Sequence, residues 1–166
     1  MTATASTHQN TIDRFYTAFA QKDAQAMVAC YHEDIVFKDP AFGQLKGKEA
    51  EMMWQMLLAK GGESLTITHK NAQAHDSSGS CQWQANYVFG ANKRKVENHV
   101  HAHFKFKDGL IIEHTDHFHF WRWSRQALGL TGWLLGWSYS LKMKAQRYAR
   151  GNLKKYMADS GVANTL

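Results

Sequence analysis

The stretch VENHVHAHFKFKDGLIIEHTDHFHF, Val96 to Phe120, alternates apolar and polar side chains on both sides of a Lys107-Asp108-Gly109 turn signal. A period of two belongs to strands with one wet face, so the stretch predicts a β-hairpin with arms at about 95 to 106 and 110 to 123. A three-residue loop with glycine last suits a type I turn closed by a bulge, which pairs Phe106 with Leu110 and His99 with His117. In that register the inner face holds Val100, Ala102, Phe104 and Phe106 beside Leu110, Ile112, His114, Asp116, Phe118 and Phe120. The outer face carries Glu97, His99, His101, His103 and Lys105 beside Glu113, Thr115, His117 and His119. A slip of one residue would destroy this sorting, so the hydrophobic pattern itself specifies the pairing.

Working outward, turn signals at Ser77-Ser78-Gly79 and Gly90-Ala91-Asn92 add two earlier strands, about 65 to 76 and 80 to 89. Short connections predict an antiparallel meander. Upstream the period changes to that of helices. Ile12, Phe15, Tyr16 and Phe19 share one helical face, with Ser6 and Gln9 resembling a capping box at its start. Asp23 suits the cap of a shorter helix burying Met27, Cys30 and Tyr31, after which Ile35, Phe37 and Asp39 alternate as on a short strand. Ala50, Met53, Trp54 and Leu57 mark a third helix, ended by Gly61-Gly62. Helices first and a meander after them predict an α+β domain, with the helices covering one face of the sheet.

The 166 residues, 44% hydrophobic and with one proline, suit a single globular domain and exclude a disordered chain. The longest apolar run near the C-terminus, Ala127 to Trp137, is interrupted by three glycines and is about half the roughly 20 residues of a bilayer crossing. With no visible secretory signal and two cysteines suited to reduced thiols, a cytoplasmic location is expected. The net charge of +6 is concentrated: Ser138 to Ala158 holds six basic residues and no acidic one, and the rest of the chain is balanced. That basic segment reads as a solvated helix face, with an anionic membrane surface as the lesser alternative. Nucleic acid is not an expected partner.

Asp39, His114 and Asp116 are polar groups aimed into an aromatic interior, and burial raises a carboxylate's pKa toward general-base values. The structural alternative is that His114 and Asp116 bond to each other while Asp39 caps a turn before Pro40. On the outer face, the histidines offer imidazoles for a metal ion or for a contact with a second subunit. No metalloprotease or paired-cysteine spacing accompanies them, and no metal is assigned. No glycine-rich phosphate loop or dinucleotide fingerprint occurs, so no cofactor is expected.

The order of elements and the residues FYTAFAQKDAQAMVACYHEDIVFKDPAFGQLKGKEA, Phe15 to Ala50, resemble the nuclear transport factor 2-like superfamily, in its SnoaL-like and ketosteroid-isomerase-like branch. The sharpest piece is Val36-Phe37-Lys38-Asp39-Pro40, because ketosteroid isomerases hold their general base in an Asp-Pro context. The resemblance spans about residues 8 to 123 and implies a cone-shaped, curved antiparallel sheet wrapped around N-terminal helices, enclosing an apolar pocket. It implies Asp39 as base, with His114, Asp116 and Tyr16 as donor or partner groups. The implied pocket is lined by Phe15, Phe19, Trp54, Trp83, Tyr87, Phe89, Val100, Ala102 and Phe118. The isomerases' oxyanion tyrosine matches Phe15 here, with Tyr16 adjacent, and their oxyanion aspartic acid matches Ala102. Losing those donors argues against steroid isomerisation itself.

The reading is therefore a proton-transferring isomerase, cyclase or hydrolase acting on an apolar carbonyl-bearing or polycyclic molecule. The rival is a noncatalytic ligand-binding module, and in either case a homodimer through the sheet is expected. Residues 124 to 158 form a helical extension expected to cover the pocket mouth or dock on a neighbouring subunit, between flexible ends at 1 to 7 and 159 to 166.

Overall fold

A computed structural model of the chain describes residues 3–161. Helix α1 (Ala3–Ala20) buries Ile12, Phe15, Tyr16 and Phe19 as the period requires. It starts before the Ser6 cap expected from sequence, so residues 3 to 7, assigned there to a flexible end, are helical. The early start has a tertiary partner: His8 stacks on Phe106 with ring centroids 4.1 Å apart, and Thr11 donates to the Gly109 carbonyl at 2.9 Å. Residues 1–2 and 162–166, parts of the expected flexible ends, lie outside the described residues.

Helix α2 (Ala24–Val28) is capped as expected by Asp23, whose carboxylate accepts from the Ala26 N–H at 2.9 Å. It is shorter than its apolar pattern suggests, and Tyr31 instead opens strand β1 (Tyr31–Asp39). β1 turns at Pro40 into an unexpected antiparallel partner, β2 (Gly43–Lys46). Helix α3 (Lys48–Gly61) ends where Gly62 adopts a positive φ of 53°, after which β3 (Thr66–Ala74), β4 (Ser78–Phe89), β5 (Arg94–Lys107) and β6 (Leu110–His117) follow.

The six strands form one curved, open sheet in the order β2-β1-β6-β5-β4-β3. The sequence reading of a wholly antiparallel sheet needs one correction, because β1 runs parallel to β6. Helices α1 and α3 fill the concave face, and the core is continuous from Phe15 and Tyr16 through Trp54 to Phe104. Among the described residues the fold of the expected class is present, with helices before a meander and a helical extension after it.

The hairpin turn is tighter than expected. Asp108 and Gly109 both have positive φ, 52° and 79°, which is the signature of a two-residue type I′ loop and pairs Lys107 with Leu110. A bulge then leaves Ile112 as the extra residue, between the pairs Phe106↔Ile111 and Lys105↔Glu113. The two corrections offset each other in parity. Val100, Ala102, Phe104, His114 and Asp116 still face inward, but Ile111 rather than Ile112 is the core residue at the hairpin's end. His117 pairs with His101 instead of His99.

The last strand stops at His117, short of the expected 123. Phe118-His119-Phe120 alternates as a strand would, yet Trp123 and Ala127 bury against Val96 only if the chain coils, and helix α4 (Phe120–Leu128) does this. The apolar segment is broken at Gly129, giving α4 and α5 (Leu130–Leu135), followed by the basic helix α6 (Tyr139–Asp159). α6 packs Leu153 and Met157 into the main core, and its Gln146 donates to the Pro40 carbonyl at 3.1 Å.

Candidate functional site

A cavity of about 990 Å³ opens between the concave face of the sheet, α3 and the C-terminal helices. Its inner wall is built of Phe19, Phe37, Trp54, Trp83, Tyr87, Phe89, Val100 and Phe118, and its mouth of Trp123, Leu128, Leu141 and Tyr148. Of the pocket residues expected from sequence, seven stand on this wall. Phe15 and Ala102 do not: both are completely buried behind it, because α1 packs so tightly on the sheet that its Phe15 face contributes core instead. Residues of the C-terminal extension thus line the outer part of the cavity.

Two carboxylates interrupt the apolar lining. Asp39 ends β1 and Asp116 lies on β6, each one residue beyond the parallel pair Lys38↔Thr115, so both point to the concave side of neighbouring strands. Asp39 is half-buried and lines the cavity. Withdrawal from water pushes its carboxyl from an ordinary 3.8 up to about 7, with the charge of Asp116 adding to the rise. Backbone N–H groups of Phe42, Ala41 and Gly43 pull in the opposite direction, the first at 2.5 Å from Oδ1.

Asp116 is held by a chain of buried hydrogen bonds. Trp54 Nε1 donates to the Tyr31 hydroxyl at 2.8 Å, and that hydroxyl meets His114 Nδ1 at 2.7 Å. His114 Nε2 meets Asp116 Oδ1 at 3.1 Å, and Trp83 Nε1 donates to the same oxygen at 3.1 Å. With Asp116 as a carboxylate the directions follow from the two ends, since an indole only donates and a carboxylate only accepts. Tyr31 then donates to His114, and His114 donates to Asp116. Both bonds fall on Oδ1, and Asp116 lines the cavity.

The sequence alternatives for these residues are thus both present. His114 does bond to Asp116 and Asp39 does cap the Pro40 turn, and the two aspartates still line the cavity. His114 itself is completely buried, enclosed by Phe15, Phe37, Trp54 and Phe104, and touches no cavity space. Its contact is with Asp116 and not with the cavity. Tyr16 is likewise behind the wall, with its hydroxyl buried and without a hydrogen-bond partner among the described residues. Burial, and after it the Asp116 charge, raise its pKa well above the ordinary value.

Tyr31 and Tyr87 are what the sequence reading undervalued. Spacing places Tyr31 in the core of a helix, and only the parallel β1–β6 pairing brings it beside His114. Tyr87 was one of several pocket aromatics, but its hydroxyl oxygen accepts from Trp123 Nε1 at 2.8 Å, leaving its own proton for the cavity. Burial, with a contribution from the Asp39 charge, pushes it up to about 12 and keeps it a hydroxyl donor.

Among the described residues, the outer histidines of β5 and β6 do not form a group of three or more metal-compatible ligands. The one metal-compatible group among the described residues is His32, Glu33 and Asp34 on β1, two of them exposed. His103 and His117 meet edge to face, with centroids 5.6 Å apart. No helix among the described residues is long and apolar enough to cross a membrane.

The SnoaL-like domain family model matches residues 12–114. The chain belongs to the SnoaL-like family. Its fold is that of nuclear transport factor 2-like proteins. A candidate polyketide cyclase from Xanthomonas campestris pv. campestris superposes with a TM-score of 0.62 at 18% identity, covering 75% of this chain and 98% of that one. An epoxide hydrolase of the LEH-like type from M. tuberculosis gives 0.60 at 17% identity, with coverages of 79% and 97%. The epoxide hydrolase/cyclase-like enzyme SalBIII, involved in pyran ring formation in salinomycin, gives 0.60 at 15%, with 69% and 92%. No curated protein matches the sequence. Nearly all of each of these structures aligns, whereas a fifth or more of this SnoaL-like chain does not.

Proposed function

We propose that this SnoaL-like protein is an acid–base enzyme acting on an apolar, carbonyl-bearing or polycyclic small molecule. The observation that carries the reading is Asp39, poised near neutrality on the wall of a large apolar cavity with an unspent tyrosine proton close by. Ionised Asp39 removes a proton from carbon next to a carbonyl. The electron pair moves to the carbonyl oxygen, and the Tyr87 hydroxyl donates to the resulting enolate while Trp123 holds Tyr87 in place. Protonated Asp39 then returns the proton to the same or another carbon, and the product is an exchange, a double-bond shift or the trigger for ring closure. The charge of Asp116 raises the proton affinity of Asp39. Tyr87 takes the part left open by Phe15 and Ala102.

The relatives support the choice of substrate class, since the similar structures include cyclase-type and epoxide hydrolase-type proteins. The test is deuterium uptake from heavy water into the position next to the carbonyl of a bicyclic ketone such as 2-tetralone, followed by mass spectrometry. Asp39→Asn should abolish exchange while leaving the fold intact. Tyr87→Phe should slow it about 100- to 1,000-fold, the usual worth of an oxyanion donor. Exchange by the Asp39→Asn protein at the original rate would remove the assignment. A retained apolar molecule in the native mass spectrum, without any exchange, would favour the noncatalytic binding module.

A further inference from the structure

The C-terminal helices are built inside out. Gly132 and Gly136 face α4, where a Cβ on Gly132 would lie 1.8 Å from the Ser124 carbonyl oxygen and one on Gly136 would lie 2.0 Å from Ser124 Oγ. The large apolar side chains of the same segment point the other way. Leu130 is 72% exposed, Trp133 55%, Trp137 77% and Tyr139 76%, with Leu134 and Leu135 half exposed beside them. A soluble surface does not ordinarily spend so many large apolar groups on one short segment while packing glycine inward.

Charge points to what covers this surface. From Phe120 to Ala158 the chain has eight basic residues and no acidic one. Lys144, Arg147, Tyr148, Gly151 and Lys155 follow helical spacing along the exposed side of α6, so the basic stripe continues from the end of the apolar patch. Two copies joined through this patch would place these cations against one another. An anionic lipid surface would instead neutralise them, and tryptophan and tyrosine are the side chains that favour the boundary between headgroups and acyl chains.

We propose that α5 and the exposed stripe of α6 dock the protein on an anionic lipid bilayer, with Trp133 and Trp137 entering the interface. The helices lie on the membrane and do not cross it, as expected from their length and from the strongly basic character of α6. Leu130 and Tyr148 line the mouth of the cavity, so docking sets that mouth against the lipid phase, where apolar molecules accumulate. The inference concerns the surface and stands whether or not the cavity is catalytic.

The test is co-sedimentation of the full chain with vesicles made of two parts phosphatidylcholine to one part phosphatidylglycerol, compared with phosphatidylcholine alone. The expected result is capture by the anionic vesicles, release by high salt, and a blue shift of tryptophan fluorescence on binding. Trp133→Ser with Trp137→Ser should lose the capture. Arg147→Glu with Lys155→Glu should weaken it by about tenfold or more. Circular dichroism identifies variants that retain their helices, and only those are compared. Absence of capture by anionic vesicles at low salt would overturn the proposal. So would undiminished capture of the tryptophan variant, or a dimer of the free protein that this variant dissolves while the vesicles capture nothing.

Discussion

Asp39 is subject to opposing forces, since three backbone N–H groups favour its charge and the apolar cavity disfavours it, and the cavity prevails. A carboxyl whose folded pKa is raised binds its proton more tightly in the folded state, so it penalises folding as pH rises from its unfolded value. The penalty is absent below about pH 4, grows up to about 7 and is constant above. Asp39→Asn should therefore flatten the dependence of melting temperature on pH across that window. Its gain over the parent at alkaline pH is at most about 4 kcal/mol, reduced by whatever water enters the cavity. Exchange activity has the opposite sense, rising with pH to a plateau above about 7, because only the ionised carboxylate accepts a proton. Tyr31→Phe addresses the other aspartate's support. It leaves Trp54 Nε1 without an acceptor and His114 Nδ1 without a donor, both buried, and should cost about 2 kcal/mol or more in urea unfolding.

The decisive elements are β6 and α6, which approach the site from opposite sides. β6 sets Asp116 beside β1 through a parallel pairing, and α6 steadies the Pro40 turn through Gln146. Leu153 fastens α6 to the core and is 2% exposed. Leu153→Ala should cost about 2–5 kcal/mol by the usual cavity penalty, and hydrogen exchange should report earlier opening of α6 than of the sheet. Helix propensity alone would leave α5 unformed, since it is six residues long and contains a glycine. Its fold depends on contact with α4. Gly132→Ala should displace it and make proteolysis near Trp133 faster, with the sheet's melting little changed.

At the scale of the whole molecule, an open sheet encloses a cavity only because the C-terminal helices close one side. Removing everything after His119 would expose Val96, Phe89 and the cavity wall together. The truncated chain should aggregate, or bind a hydrophobic dye strongly in light of its uncovered apolar area; a soluble product of unchanged dye binding would contradict this.

Much of this molecule was legible in its periodicity. The helix face of α1, the Asp23 cap and the inward set Val100, Ala102, Phe104, His114 and Asp116 all follow from local spacing, because side-chain direction repeats with period 3.6 or 2 wherever the backbone is regular. The place of Asp39 at the end of a short strand, just before the Pro40 turn, was legible from the alternation of Ile35, Phe37 and Asp39. The hairpin turn is one residue shorter than its glycine suggests, and the bulge at Ile112 restores the parity, so the same side chains face inward in a shifted register.

What tertiary structure alone decided is depth and company. Spacing places Phe15 and Phe19 on one helix face, but only packing makes Phe19 cavity wall and Phe15 core. Spacing cannot show that Tyr31 reaches His114 across 83 positions, or that Trp123 turns Tyr87 toward the cavity across 36. Those partners meet through strand pairing and helix crossing, which depend on the whole chain's burial of apolar surface and not on any local repeat.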